Sequence, residues 1–244
     1  MLEVKEISKN FGGNKVLKNV TFSVEKGEIL GIVGPNGSGK TTLLNVISGI
    51  VVPDKGDILL EGRSLVRIPL YKRARIGIGR TFQITRLFEN LSVLENVMIP
   101  LYYGSPLKAE KEVAYAILES VGLFNKKEEL AGSLSLAQRK RLELARALAL
   151  SPKILLLDEI FAGLNPVSIK EIVELILNMN AEKGITVILV EHVLKALFQL
   201  TERVVVLSEG KLIFDGNPQD MAKNEEVIKA YLGEKYNKGV GCES

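Results

Sequence analysis

The sequence carries a single cysteine, Cys242, and no stretch approaching 18 uncharged apolar residues. One cysteine makes an intrachain disulfide impossible, so the fold needs no oxidising compartment, and its place in a polar tail reads as an incidental exposed thiol. Met1–Ser8, with Glu3, Lys5 and Glu6, has no apolar signal core, so the expectation is a chain neither exported nor membrane-spanning. Charge of one sign is also scarce. Lys and Arg number 32 against 29 Asp and Glu, and a surplus of +3 over 244 residues is too small to argue for nucleic acid. No internal repeat and no low-complexity segment occurs.

What is present is a packed chain. Apolar residues make up 46% of it and charged ones 25%, which excludes disorder throughout, and the length suits one large α/β domain with a subdomain insertion. From Leu2 to Val24 alternating apolar residues are interrupted by Asn10–Asn14, the pattern of two strands and a turn. Ile29–Val33 is a short apolar run suited to a strand buried on both faces, and a helix follows from Lys40 to a stop at Gly49. Asp57–Glu61 reads as a further strand. From about Arg86 to Ser151 the pattern turns helical, with Leu107–Val121 and Leu134–Leu150 the clearest stretches. Strand runs return at Ile154–Leu157, Thr186–Val190 and Val204–Leu207 around a helix at Ser168–Lys183, the alternation of a parallel sheet. A small hairpin at Glu209–Phe214 and a closing helix at Asn217–Leu232 complete the expectation.

Three motifs carry chemistry. Gly34-Pro35-Asn36-Gly37-Ser38-Gly39-Lys40-Thr41-Thr42 matches G-x-x-x-x-G-K-S/T between a buried strand and a helix start, where backbone N–H groups and a helix N-terminus can wrap phosphates. Lys40 would reach the outer phosphates and Thr41 would offer a hydroxyl to magnesium. Ile154–Glu159 is a buried run ending in two acids at a strand's C-terminal edge, where open α/β sheets bind ligands; Asp158 would hold Mg2+ through water and Glu159 would polarise the attacking water. His192 is the only histidine. Such a residue is by default a packing or surface group, yet it follows the run Thr186–Glu191 on the same edge, which suits a γ-phosphate sensor.

These motifs, with Gln83 and Leu134-Ser135-Leu136-Ala137-Gln138, fall in the order and spacing of ABC transporter ATPase subunits, and the chain resembles that family from about Leu2 to Gly233. The segments Gly77–Gln83 and Arg86–Val97 look like its branched-chain amino acid uptake subfamily. The resemblance implies an α/β P-loop NTPase (RecA-like) core with a mainly parallel sheet, an N-terminal antiparallel β subdomain and an inserted α-helical subdomain. It implies one ATPase domain over 1–233, with the insertion at about 86–151, and a polar tail at 234–244. ATP would be sandwiched between the phosphate loop of one subunit and Ser135 and Gln138 of another, so the partner is a second ATP-binding subunit, identical or not. Phe11 would stack on adenine near Val16, and Gln83 would contact Mg2+ and the attacking water. Membrane permease subunits, and indirectly a substrate-binding protein, complete the partners. The chain would lie at the cytoplasmic face of the membrane and import branched-chain amino acids. Alternatives are urea or amide uptake, lipopolysaccharide export, a weakly hydrolysing regulatory subunit, or a soluble ABC protein acting on ribosomes or DNA.

The pattern departs from the family at four places: Leu136 and Ala137 replace the two signature glycines, Ile160 the proline after the glutamate, and Asn165 an aspartate. Arg63, Arg67, Lys72, Arg73, Arg75 and Arg80 form a basic stretch without acids, read as a solvated face rather than a site for anionic lipid; Arg139-Lys140-Arg141 is likewise read as facing solvent.

Overall fold

The computed structural model describes residues 1–81 and 87–231. Strands β1 (Leu2–Phe11) and β2 (Asn14–Val24) pair antiparallel through a two-residue turn, Gly12-Gly13, whose positive φ angles of 52° and 88° suit glycine. With β4 (Lys55–Leu60) and the two-residue β5 (Arg63–Ser64) they form an antiparallel sheet ordered β2-β1-β4-β5. The second sheet runs β10-β9-β3-β8-β7-β6, from β3 (Ile29–Val33), β6 (Ile78–Arg80), β7 (Ile154–Asp158), β8 (Thr186–Val190), β9 (Arg203–Ser208) and β10 (Lys211–Gly216). All its neighbours are parallel except the β9–β10 hairpin.

Successive side chains of a strand face opposite ways, and β7 and β8 are buried on both faces for that reason. Ile154, Leu156, Ile188 and Val190 enter the core shared with the antiparallel sheet and α1 (Lys40–Ser48). Leu155, Leu157, Val187 and Leu189 enter the core on the other side, with the helical segment and α6 (Pro166–Lys183). Each buried Leu or Ile contributes about 1.5–3 kcal/mol relative to exposure, so the sheet anchors both cores at once.

Between β6 and β7 lie α3 (Val93–Tyr103), α4 (Lys111–Ser120) and α5 (Leu136–Leu148). The first helix starts where a capping box forms: Glu95 N–H donates to Ser92 Oγ (3.1 Å) and Ser92 N–H to Glu95 Oε2 (2.7 Å). Buried Asn96 then fixes the turn before it, accepting from Phe88 N–H and donating to the carbonyls of Phe88 and Ser92, each at 3.0 Å. The fourth helix begins at Lys111, four residues later than expected, and the fifth at Leu136, because Ser135 caps it.

Other boundaries differ as well. The closing helix expected at Asn217–Leu232 is two pieces, α8 (Pro218–Met221) and helical residues 225–231, because Asn217 caps the first and Asn224 Oδ1 accepts Val227 N–H (3.0 Å) to start a new one. Leu232, Cys242 and the rest of the tail lie outside the described residues. The short α2 (Leu70–Arg75) and β6 lie within the basic stretch.

That stretch is not a uniformly solvated face. Arg73 is 1% exposed, and its guanidinium donates to the carbonyls of Val46 (2.8 Å), Ile47 (2.7 Å), Leu65 (2.6 Å) and Ile68 (2.8 Å). Two of these are end carbonyls of α1, so one cation ties α1 to α2. Burial lowers its pKa to about 10, which leaves it charged at neutral pH. Arg80 is buried too, whereas Arg63, Arg67, Lys72 and Arg75 line an open groove. Arg73→Ala strips four buried acceptors of their donor and is expected to lower the unfolding free energy by roughly 3–5 kcal/mol, read by urea denaturation. A wild-type midpoint would contradict the anchoring role.

Candidate functional site

The loop between β3 and α1 curls because glycine permits it. Gly34, Gly37 and Gly39 have φ of 151°, 76° and 105°. A Cβ at Gly34 would stand 2.0 Å from the Leu207 carbonyl oxygen, and one at Gly39 would stand 2.9 Å from that of Val16, so both backbones are pressed against neighbouring strands. Gly37 has open space beside it. Gly39 caps α1 without a side-chain acceptor, the arrangement in which helix N-termini bind anions. Lys40, 6% exposed, donates to the carbonyls of Gly34 (2.8 Å) and Pro35 (2.9 Å) across the mouth of the curl. Ser38 Oγ is buried and has no hydrogen-bond partner among the described residues, and Thr41 and Thr42 follow on the first turn. A concave set of N–H groups, a cation at its mouth and an unpaired buried hydroxyl together fit a phosphate chain.

Asp158 ends β7 beside it. Its Oδ2 accepts from Arg80 Nη2 at 3.1 Å, while its buried Oδ1 has no hydrogen-bond partner among the described residues. Burial raises the Asp158 pKa, and the Arg80 guanidinium only partly offsets this; burial likewise lowers that of Arg80. An acid oxygen without a proton donor, beside a phosphate cradle, suits a hard cation. Lys140, from α5, adds its field at Asp158 and is 2% exposed, which overturns its assignment to solvent. Its neighbours are anchored by acids: Arg139 bonds Glu89 (2.8 Å) and Arg141 bonds Glu171 (2.6 Å).

Glu159 leaves the strand in the left-handed region, with φ of 50°, uncommon for a residue with a Cβ. Its N–H donates to the Val190 carbonyl (2.9 Å), and its Oε1 lies 3.1 Å from His192 Nε2. His192 follows β8 and is largely exposed, so the two side chains meet at the mouth of the site. Between β8 and that histidine stands Glu191, 2% exposed; like Asp158 it is an acid closing an apolar run, but in the sequence it reads as an ordinary strand end.

Phe11 ends β1 with its ring 47% exposed and Lys9 Nζ 5.3 Å from its centre, and Val16, half-buried, flanks the curl at Gly39. Gln83 lies outside the described residues. Ser135 and Gln138 form a capping box at the start of α5, Gln138 N–H to Ser135 Oγ at 3.4 Å and Ser135 N–H to Gln138 Oε1 at 3.0 Å. Leu136 is half exposed, and a Cβ at Gly163 would stand 3.1 Å from its Cδ2. Asn165 caps α6 by accepting Ser168 N–H at 2.9 Å, a task an aspartate would perform equally.

The chain matches the family described as ABC transporter over residues 17–162, and that described as branched-chain amino acid ATP-binding cassette transporter over residues 211–237. It is 36% identical over 250 residues to the high-affinity branched-chain amino acid transport ATP-binding protein BraF of Pseudomonas aeruginosa, covering 96% of this chain and 98% of that protein. It is 37% identical over 237 residues to the lipopolysaccharide export system ATP-binding protein LptB of Escherichia coli K12, with the same coverage. Among solved structures, the dimeric post-hydrolysis state of the ATP-binding cassette MJ0796 bound to ADP and Pi aligns with a TM-score of 0.80 at 29% identity, over 89% of this chain and 99% of that one. Curl, strand-end acids and sheet order thus sit in a chain that belongs to the ABC transporter ATP-binding family, whose ATP hydrolysis is coupled to transport.

Proposed function

We propose that this chain is the MgATP-hydrolysing subunit of an importer of branched-chain amino acids. The observation that carries the solute class is the match of residues 211–237 to the branched-chain family, supported by the likeness to BraF. The likeness to LptB is as close, and it favours lipopolysaccharide export as the second reading.

In this reading the 1–233 unit works as one ATPase domain. Phe11 and Val16 hold the adenine, and the N–H groups from Gly34 to Thr42 hold the phosphates. Lys40 exchanges its two loop carbonyls for phosphate oxygens, a charge-assisted contact stronger than the neutral one it leaves. Thr41, Asp158 and Gln83 would hold Mg2+, which supplies positive charge against the outer phosphates when bound. Glu159 takes a proton from the attacking water. His192, 3.1 Å away, orients that carboxylate and senses the γ-phosphate. Ser135 and Gln138 serve the nucleotide held by a second subunit.

Contact with permease subunits falls to a groove of about 470 Å³ lined by Leu87, Phe88, Pro100, Arg146 and Leu150, with Glu143 beside Arg146. Its exposed Phe88 ring lies 4.9 Å from the Arg146 guanidinium, a surface with both apolar and cationic character. No helix among the described residues is long and apolar enough to cross a membrane, and attachment at the cytoplasmic face would come through these subunits. A substrate-binding protein would present the solute from the other side.

Glu159→Gln is expected to cut turnover at least about 100-fold while leaving ATP binding intact, so that an ATP-bound dimer accumulates on size exclusion. A variant that stays monomeric with ATP counts against this role. Lys40→Ala is expected to lose nucleotide binding, and micromolar ATP affinity retained in calorimetry would contradict that. The solute is decided in vesicles holding this chain and its permeases. ATP-driven leucine uptake supports the import reading, whereas lipopolysaccharide extraction without leucine uptake supports the second.

A further inference from the structure

Glu191 is a buried acid that the proposed hydrolysis leaves without a task. Its Oε1 accepts the N–H of Phe161 at 3.1 Å, and the N–H groups of Ile160 and His192 are near enough to favour the charged form of the same carboxylate. These donors come from two loops. Ile160 and Phe161 follow Glu159 beyond β7, and His192 follows Glu191 itself beyond β8. The same loops meet a second time where His192 Nε2 touches Glu159 Oε1. Glu159 keeps a left-handed backbone, which in a residue with a Cβ persists only when its surroundings over-determine it. Its own N–H is held by Val190, and Ile160 and Phe161 are buried to 1% exposure. The carboxylate of Glu191 is the polar part of that restraint. Ile160 adds to the demand: the family's usual proline at that position has no N–H to satisfy.

We propose that Glu191 is a positioning residue whose buried carboxylate, by accepting the backbone N–H of Phe161 beside those of Ile160 and His192, clasps the two loops together and thereby holds the Glu159 carboxylate against the His192 ring. The proposal rests on the hydrolytic reading of Glu159. A charged acceptor makes stronger bonds to these donors than a neutral one. Burial, with the nearby charge of Glu159, raises the Glu191 carboxyl to about 7, against which the three N–H groups work. The titratable groups facing it are Glu159 from the β7 loop and His192 from its own. Protonation near neutrality removes acceptor capacity and loosens the clasp, so turnover should fall as pH drops through that region.

Glu191→Gln keeps the volume and removes the charge, and two readouts on the purified chain test it. Amide exchange in the loop after β7, at Phe161 above all, is expected to quicken about tenfold at pH 8, the size of one lost charge-assisted hydrogen bond. The kcat for ATP should fall about tenfold with KM within about twofold, and the acid limb near neutral pH should flatten; Glu191→Asp should recover part of kcat. Unchanged exchange at Phe161 overturns the clasp, whatever the activity. Faster exchange with wild-type kcat and pH profile overturns the positioning role. If the wild type shows no magnesium-dependent turnover either alone or together with its permeases and second ATP-binding subunit, the hydrolytic reading fails, while the exchange arm still decides the clasp. Should Glu191→Gln not fold, the same measurements on Glu191→Asp decide it.

Discussion

The arrangement depends first on one parallel register. Val190 of β8 pairs with Ile32 of β3 on one side and with Asp158 of β7 on the other, so three strands end level. The glycine-rich curl after β3, the acids Asp158 and Glu159 and the pair Glu191-His192 therefore emerge together on one edge, where strand C-termini of an open sheet meet ligands. A slip of one residue would turn every side chain to the opposite face. It would exchange Leu155 and Leu157 for Ile154 and Leu156 between two differently shaped cores, and it would swing Asp158 away from Arg80. Apolar packing on both faces thus sets the position of the polar edge, although no apolar side chain takes part in the chemistry.

At that edge charge is concentrated at a cost. Arg80 and Asp158 are both buried, and burial shifts each toward its neutral form despite their 3.1 Å contact. Desolvation therefore outweighs their mutual attraction, and the pair is weak evidence for stability. What it does is geometric. Arg80 also donates to Ser48 Oγ at 2.7 Å, so it links the C-terminal end of α1 to the acid of β7, just before the segment that contains Gln83. Lys140 adds a second positive charge from α5. An acid held between two cations stays ionised more readily than burial alone would allow, which a cation-binding role requires.

Much of this was legible before any coordinates. Continuous apolar runs marked β3, β7 and β8, since only strands covered on both faces need them, and the glycine spacing before Lys40 marked the curl. What escaped was long-range or short. β6 is three residues of Ile-Gly-Arg, and α2 is six residues rich in cations, too brief for a periodicity to register. Arg73 and Lys140 looked like surface charges because sequence spacing does not reveal which carbonyls or acids will converge on a side chain. Arg73 draws its acceptors from α1 and from the chain ahead of α2, up to 27 positions away. Glu191 was hidden by its neighbour: the rarity of histidine drew attention to His192, while the acid before it reads as an ordinary strand end.

The signature departure follows the same physics. If a second subunit's phosphate docks at this segment as proposed, glycines there would let it approach the backbone, and Leu136 and Ala137 add Cβ atoms at that approach. The N–H groups remain, however, and the Ser135–Gln138 capping box still fixes the first turn of α5, so the donors keep their direction while the steric boundary moves outward. The Leu136 side chain extends toward Gly163, whose φ of 77° and missing Cβ leave room for the Cδ2 methyl. Gly163 lies in the loop that Asn165 closes onto α6 and that begins at Glu159. The Leu136 bulk is therefore turned against this chain's own loop after β7, and helix α5 gains a contact with that loop that a glycine could not make. In the proposed dimer, where this segment would face the second subunit's nucleotide, the same side chain would link that surface to the loop that carries Glu159.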